Sequence, residues 1–170
     1  MDQGRMLGLV LLLAVAGLSS PARAQTDQAA QWLQQGLAAQ KAQDFSDAFH
    51  YFLMAAVAGN ADAQYRVGYC YLTGEGVQQD EITAVKWFQQ GAAQGEPQSE
   101  FHLASCYEHG WGGLYQDLDQ ARRWYQAAQQ QGYPGAAEAL KNLAAVTPIP
   151  DLLPGTPTPI TSQGRIFDGP

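Results

Sequence analysis

Side chains able to do metal or acid–base chemistry are sparse in this chain. Its three histidines are His50, His102 and His109. A metal ion needs ligands that converge, commonly two at i and i+4 on one helix face. His102 and His109 stand seven residues apart, about two helical turns, which is too far for one ion. Glu108 adjoins His109, and adjacent residues on a helix point to different sides. No G-x-S-x-G elbow, phosphate loop or dinucleotide fingerprint is present. Gly74-Glu75-Gly76 and Gly110-Trp111-Gly112 are rich in glycine, but they recur as turns between helices. The scattered Asp and Glu residues read as helix caps and solvated faces rather than as an acid/base pair. No catalytic residue, metal ligand set or cofactor is expected, which leaves binding by a surface.

That surface must be built by repeated elements. Asp44, Asp80 and Asp117 align, and four residues on come Ala48, Ala84 and Ala121. Aromatic pairs follow at Tyr51-Phe52, Trp87-Phe88 and Trp124-Tyr125, then glycines at Gly59, Gly95 and Gly132. The period is 36 and then 37 residues. Self-similarity of this length marks a solenoid of stacked helical hairpins, which presents an extended surface rather than a catalytic pocket.

Each unit holds two helical patterns, A and B. In the second unit, Ala63, Val67, Cys70 and Tyr71 recur at spacings of three and four from Asp62 to Leu72, one helix face. Gly74 ends that helix, because glycine accepts the left-handed conformation. Asp80 offers an N-cap to helix B, which carries Ala84, Trp87, Phe88 and Ala92 and stops at Gly95-Glu96-Pro97. The third unit repeats the plan with Leu103, Ala104, Cys106 and Tyr107, then Ala121, Trp124, Tyr125 and Ala128. The first unit carries Trp32, Gly36, Ala48, Phe52 and Ala55 at tetratricopeptide spacing, with Lys41 to Phe45 as its turn. Small residues at Gly68, Ala84, Ala104 and Ala121 let the two helices of a hairpin approach closely. A short helix from Ala136 to about Ala145 reads as a half unit with a polar outer face, a solubilising cap.

The ends differ from the repeats. Arg5, the apolar run Met6 to Leu18 and then Ala22-Arg23-Ala24 have the plan of a secretory signal cleaved after Ala24. The run is shorter than the ~20 apolar residues of a membrane span. No cysteine follows the site, which argues against a lipid anchor. Net charge is −7 for the whole chain; removing residues 1–24 takes Asp2, Arg5 and Arg23 and leaves −8. With no basic patch, nucleic acid and anionic membranes are poor partners. From about Thr147 proline recurs too often for a helix or inner strand, and residues 147–170 read as an extended or disordered tail.

Gly68-Tyr69-Cys70-Tyr71-Leu72-Thr73-Gly74-Glu75-Gly76-Val77 resembles the helix A and loop signature of Sel1-like repeats, L-G-x-x-Y-x-x-G-x-G-V. Asp80, Ala84, Trp87-Phe88, Ala92 and Gly95 resemble its second half. Residues 98–133 are similar, with Ala104 for the glycine, Leu114 for the valine and one inserted glycine. The resemblance runs from about Gln28 to Leu143. It implies an all-α fold, a short right-handed α/α solenoid of about three hairpins plus a C-terminal capping helix. The chain then divides into a signal peptide (1–24), a tetratricopeptide-like repeat (25–60), two Sel1-like repeats (61–96, 97–133), a capping helix (134–146) and the tail (147–170). It further implies an exported, periplasmic or secreted scaffold for a protein or peptide partner in the cell envelope, with no stable membrane insertion after cleavage. Some cysteine-rich secreted members are linked to penicillin binding and weak β-lactamase activity. This chain lacks their dense cysteines and has no S-x-x-K, so an envelope enzyme or peptidoglycan/β-lactam-binding protein is the alternative.

The binding face should be the concave one, lined by helix A residues that point away from helix B. With Gly36, Gly68 and Ala104 as equivalents, the candidates are Leu33, Leu37, Tyr65, Tyr69, Leu72, Phe101 and Glu108. Tyr and Phe make good anchors because they bury much area with few rotors. Trp111 is a further candidate, at a turn tip unless it folds back onto Tyr115 or a helix. Cys70 and Cys106 hold the same position in consecutive A helices, whose axes lie ~8–10 Å apart, beyond the ~7 Å Cα reach of a disulfide.

Overall fold

The computed structural model describes residues 21–146. The tail and all but the last four residues of the expected signal lie outside them. The described residues form seven helices and no strand. In chain order they are α1 (Pro21–Lys41), α2 (Phe45–Val57), α3 (Ala61–Thr73), α4 (Glu81–Ala93), α5 (Pro97–His109), α6 (Leu118–Gln130) and α7 (Ala136–Val146). Each helix packs on its neighbours in the chain, so the fold is an all-α stack of hairpins, α1–α2, α3–α4 and α5–α6, followed by α7.

Local chemistry sets the helix ends. The three aligned aspartates are N-caps. Asp44 accepts from the Asp47 amide, Asp80 from Ile82 and Thr83, and Asp117 from Asp119 and Gln120. Each satisfies donors that a helix start leaves unpaired. Asn60 and Glu96 cap α3 and α5, and Pro97 takes the first position of α5, where its missing N–H costs nothing. Gly74 and Gly110 close α3 and α5 in the left-handed conformation and donate to the carbonyls of Cys70 and Cys106.

The hairpins close on small residues. A Cβ at Gly36 would stand 2.5 Å from the Phe52 ring, and one at Gly68 would stand 2.7 Å from Phe88 and 3.2 Å from the Ala84 carbonyl. In the third hairpin Ala104, Ala121 and Tyr125 fill the same kind of seam, with Leu143 of α7 behind them. A second use of glycine joins hairpin to hairpin. Gly76 and Gly112, 36 residues apart, both have positive φ. Gly76 seats against the Phe45 carbonyl at the start of α2, and Gly112 against the Glu81 carbonyl at the start of α4. The sequence reads these glycines as turns only; the structure makes them contacts between successive hairpins.

Polar pairs also bridge the stack. Gln64 is buried; its amide nitrogen donates to the Ala56 carbonyl, and Gln94 donates to its amide oxygen at 2.7 Å. One repeat later Gln131 donates to the buried Glu100 at 2.8 Å. Burial pushes the Glu100 carboxyl up, and the Gln131 bond opposes that shift.

Cys70 and Cys106 are free and buried, each in a hydrophobic cluster. Burial pushes both thiols up to about 11 from 9.0. The thiolate is the reactive form. Native protein at pH 8 should therefore react with iodoacetamide at least tenfold more slowly than urea-unfolded protein, and a mass spectrum should then show two unmodified thiols. The sign of the linkage follows. A neutral acid whose pKa rises on folding stabilises the fold below its unfolded pKa, so stability falls as pH climbs from about 9 through 11.

Candidate protein-binding face

The odd-numbered helices place the candidates on one side of the stack. Tyr65, Tyr69 and Leu72 are spaced four and three along α3, and Phe101, Ser105 and Glu108 hold the matching positions on α5. Tyr65 and Tyr69 are half-buried, with ring centroids 6.1 Å apart. His102 of α5 stacks on Tyr65 at 5.5 Å and on Phe88 at 5.2 Å, and meets Tyr69 edge-on at 6.1 Å. Phe101 then continues the run to Tyr125 at 5.2 Å and Tyr133 at 4.9 Å. A continuous tier of rings thus crosses two hairpins. Such pairs contribute about 0.5–1.5 kcal/mol each beyond the area they bury.

Its electrostatics are simple. Burial lowers the His102 pKa, which keeps the imidazole neutral at pH 7. Burial also pushes Tyr65 up to about 12 and raises Tyr133. At neutral pH the rings therefore offer uncharged faces and hydroxyls. Beside Tyr65 and Tyr69, a cleft of about 100 Å³ opens between α1 and α3, lined also by Gln40, Phe52, Arg66 and Cys70. Arg66 pairs with Asp62 at 2.9 Å and lies 5.4 Å from the Phe52 ring centroid. Uncharged rings, an Arg66–Asp62 ion pair and a shallow cleft can hold an apolar or hydrogen-bonding segment of a partner. Among the described residues no group of three or more His, Cys, Asp or Glu side chains is placed to hold a metal.

The candidates separate by depth. Tyr69 is half-buried and lines the cleft. Tyr65 is shared between face and interior, because its ring packs on Phe88. Leu37 and Leu72 lean on the first and second core clusters, and Phe101 on the third. Leu33 is a correction. It is only 8% exposed and belongs to the first core cluster, so it has no surface to offer. Glu108 accepts the Tyr125 hydroxyl at 2.7 Å. Burial first and that bond second drive the Tyr125 pKa upward. Trp111 is 47% exposed and folds back, not onto Tyr115 but onto His109, with rings stacked at 4.3 Å.

Spacing along the chain presents His102 only as a metal candidate and does not mark Tyr133 at all. A signal for His102 exists, because it stands at the repeat position of Arg66, so the third repeat puts a ring where the second has a charge. Tyr133 follows Gly132 as Glu96 follows Gly95, and nothing local to that turn shows the ring reaching Phe101.

Known proteins share this architecture. Its helices superpose on the crystal structure of a Sel1 repeat protein from Oxalobacter formigenes, with a TM-score of 0.63 and 26% identity, covering 71% of this chain and 49% of that one. A protective antigen of uropathogenic Escherichia coli shares the fold at a TM-score of 0.59 and 24% identity, over 76% of this chain and 34% of that one. In sequence, the chain is 37% identical over 89 residues to DAP3-binding cell death enhancer 1 of Rattus norvegicus, covering 52% of this chain and 17% of that protein. It is 34% identical over 114 residues to the exopolysaccharide production negative regulator of Rhizobium leguminosarum bv. viciae, covering 59% of this chain and 43% of that protein. The chain thus spans less than half the length of each relative. The family model for the Sel1 repeat matches residues 22–60, 61–96 and 97–133, the first unit included although its spacing resembles a tetratricopeptide repeat. With all three hairpins matched in sequence and stacked in space, the chain belongs to the Sel1 repeat family.

Proposed function

We propose that the chain is an exported scaffold, periplasmic or secreted, that holds a protein or peptide of the cell envelope on the face formed by α1, α3 and α5. Sel1 repeat proteins are scaffolds and adaptors for protein–protein interaction. The observation that carries the reading to this face is the tier of rings from Tyr69 through His102 and Phe101 to Tyr133. Export is supported by Arg5, the apolar run Met6 to Leu18 and Ala22-Arg23-Ala24. Cleavage after Ala24 would remove the first four residues of α1 and leave Trp32 and the first hairpin seam in place. On this reading the chain binds and does not catalyse, so purified protein should hydrolyse peptidoglycan and β-lactams no faster than buffer.

The test is a substitution of Tyr69 beside the cleft. Tyr69→Ala should weaken capture of an envelope partner about tenfold or more, the scale of an aromatic hot spot. Helical circular dichroism and melting temperature should stay close to the parent. Tyr65→Ala should lower both capture and stability, because its ring also covers Phe88. Full capture by Tyr69→Ala would move the binding surface elsewhere.

A further inference from the structure

The outer face of α2 departs from the matching faces of α4 and α6. The three helices align residue by residue from Asp44, Asp80 and Asp117. Leu53 stands where α4 has Gln89 and α6 has Gln126. Met54 stands where α4 has Gln90, and Val57 where α6 has Gln130. Ala58 replaces Gln94 and Gln131, the two residues that donate to Gln64 and Glu100. Trp32, four residues before Gly36, replaces those two acceptors. A hydrogen-bonded seam in the later hairpins is thus an apolar seam in the first.

The consequence is an open groove of about 480 Å³ between α1 and α2, walled by Trp32, Leu53, Met54 and Val57. Gln25, Gln28 and His50 lie among the remaining lining residues. Val57 is 74% exposed. Apolar side chains exposed singly need no explanation, but a contiguous apolar groove does. The repeat fold does not require it, since α4 forms with Gln89, Gln90 and Ala93 at these positions and α6 with Gln126, Ala127 and Gln130.

We propose that this groove seats the chain's own proline-rich C-terminal segment, residues 147–170, docked in cis. The segment reads TPIPDLLPGTPTPITSQGRIFDGP, with Leu152, Leu153, Ile166 and Phe167 among prolines and few charges. The prolines from Pro148 to Pro159 make a stiff tether, because proline's fixed φ leaves little chain entropy to lose, and the apolar Ile166 and Phe167 follow it. Trp32 and the aliphatic walls accept Ile or Phe. Reach is sufficient. Three stacked hairpins at about 10 Å each, plus one helix length of about 20 Å, separate the end of α7 from the groove. The 24 residues after Val146 span about 74 Å at ~3.1 Å per residue. Ile166 and Phe167 lie far enough along to arrive.

The test uses the full chain with a nitroxide spin label on Thr161→Cys. Cys70 and Cys106 are buried and stay unlabelled in the native protein. Amide signals of His50 to Ala58 should broaden at least threefold more than those of Lys86 to Gln94, the same positions on α4. Leu53→Gln with Met54→Gln gives the first hairpin two glutamines that α4 carries at those positions; the difference should then vanish while circular dichroism is unchanged. Equal broadening on α2 and α4 would overturn the proposal. Broadening that appears only when labelled and isotope-bearing molecules are different chains would assign the groove to a second copy, and also overturns it. Shifts of the groove amides that follow removal of residues 1–24 and ignore the tail would assign it to the leader, and overturn docking of the tail as well.

Discussion

Gly76→Ala should lower the melting temperature by about 10 °C, the equivalent of about 3 kcal/mol in a domain of this size. Two terms add. A non-glycine residue in the left-handed region costs about 1–2 kcal/mol. The new Cβ would also meet the Phe45 carbonyl group and approach Phe49 Cβ to 3.1 Å, and the backbone of the first turn of α2 cannot swing aside as a flexible side chain would. Gly112→Ala should behave alike, since its Cβ would stand 2.6 Å from the Glu81 carbonyl oxygen. Gly59, Gly95 and Gly132 are the controls. They also have positive φ, but a Cβ there has nothing within 4 Å. Their alanine variants should lose only the conformational term, about 1–2 kcal/mol. Thermal melts of the five variants give the comparison. Equal losses at Gly76 and Gly95 would show that the turn does not brace the preceding hairpin.

Phe88→Ala should cost about 3–5 kcal/mol, the range for truncating a buried phenylalanine. Phe88 is fully buried, lies over Gly68 and stacks with His102, so one ring joins the second hairpin seam to the binding face. Gly68→Ala alone should also destabilise, because its Cβ has no room beside that ring. The pair should not be additive. With the ring gone, the methyl group of Gly68→Ala enters vacated space, and the double variant should be no less stable than Phe88→Ala alone. Urea unfolding of the four proteins closes the cycle; simple additivity would mean that the two residues do not share a seam.

The hairpins were legible because their determinants are local. Aspartate caps, left-handed glycines and alanines at fixed spacing lie within a few residues of the features they produce, and the helices begin and end where those signals fall. The face was legible as a stripe but not in depth. Leu33, Tyr65 and Phe101 hold one repeat position, yet only Leu33 is buried. A leucine is short enough to be covered by the seam beneath it, whereas Tyr and Phe overreach it and show an edge. That distinction depends on the neighbouring hairpin, which spacing along one helix does not report. The stacking of His102 on Phe88 and the seating of Gly76 on Phe45 were hidden for the same reason. Both join residues of different hairpins through the rise of the stack.

Partners should meet the chain on the odd-helix face. A photoreactive benzoylphenylalanine placed at position 69, and separately at position 90 on the outer face of α4, tests it in envelope-bearing cells even while the partner is unidentified. A discrete protein adduct is expected from position 69, lost when His102→Ala breaks the tier, and none from position 90. An adduct from position 90 with none from position 69 would contradict it.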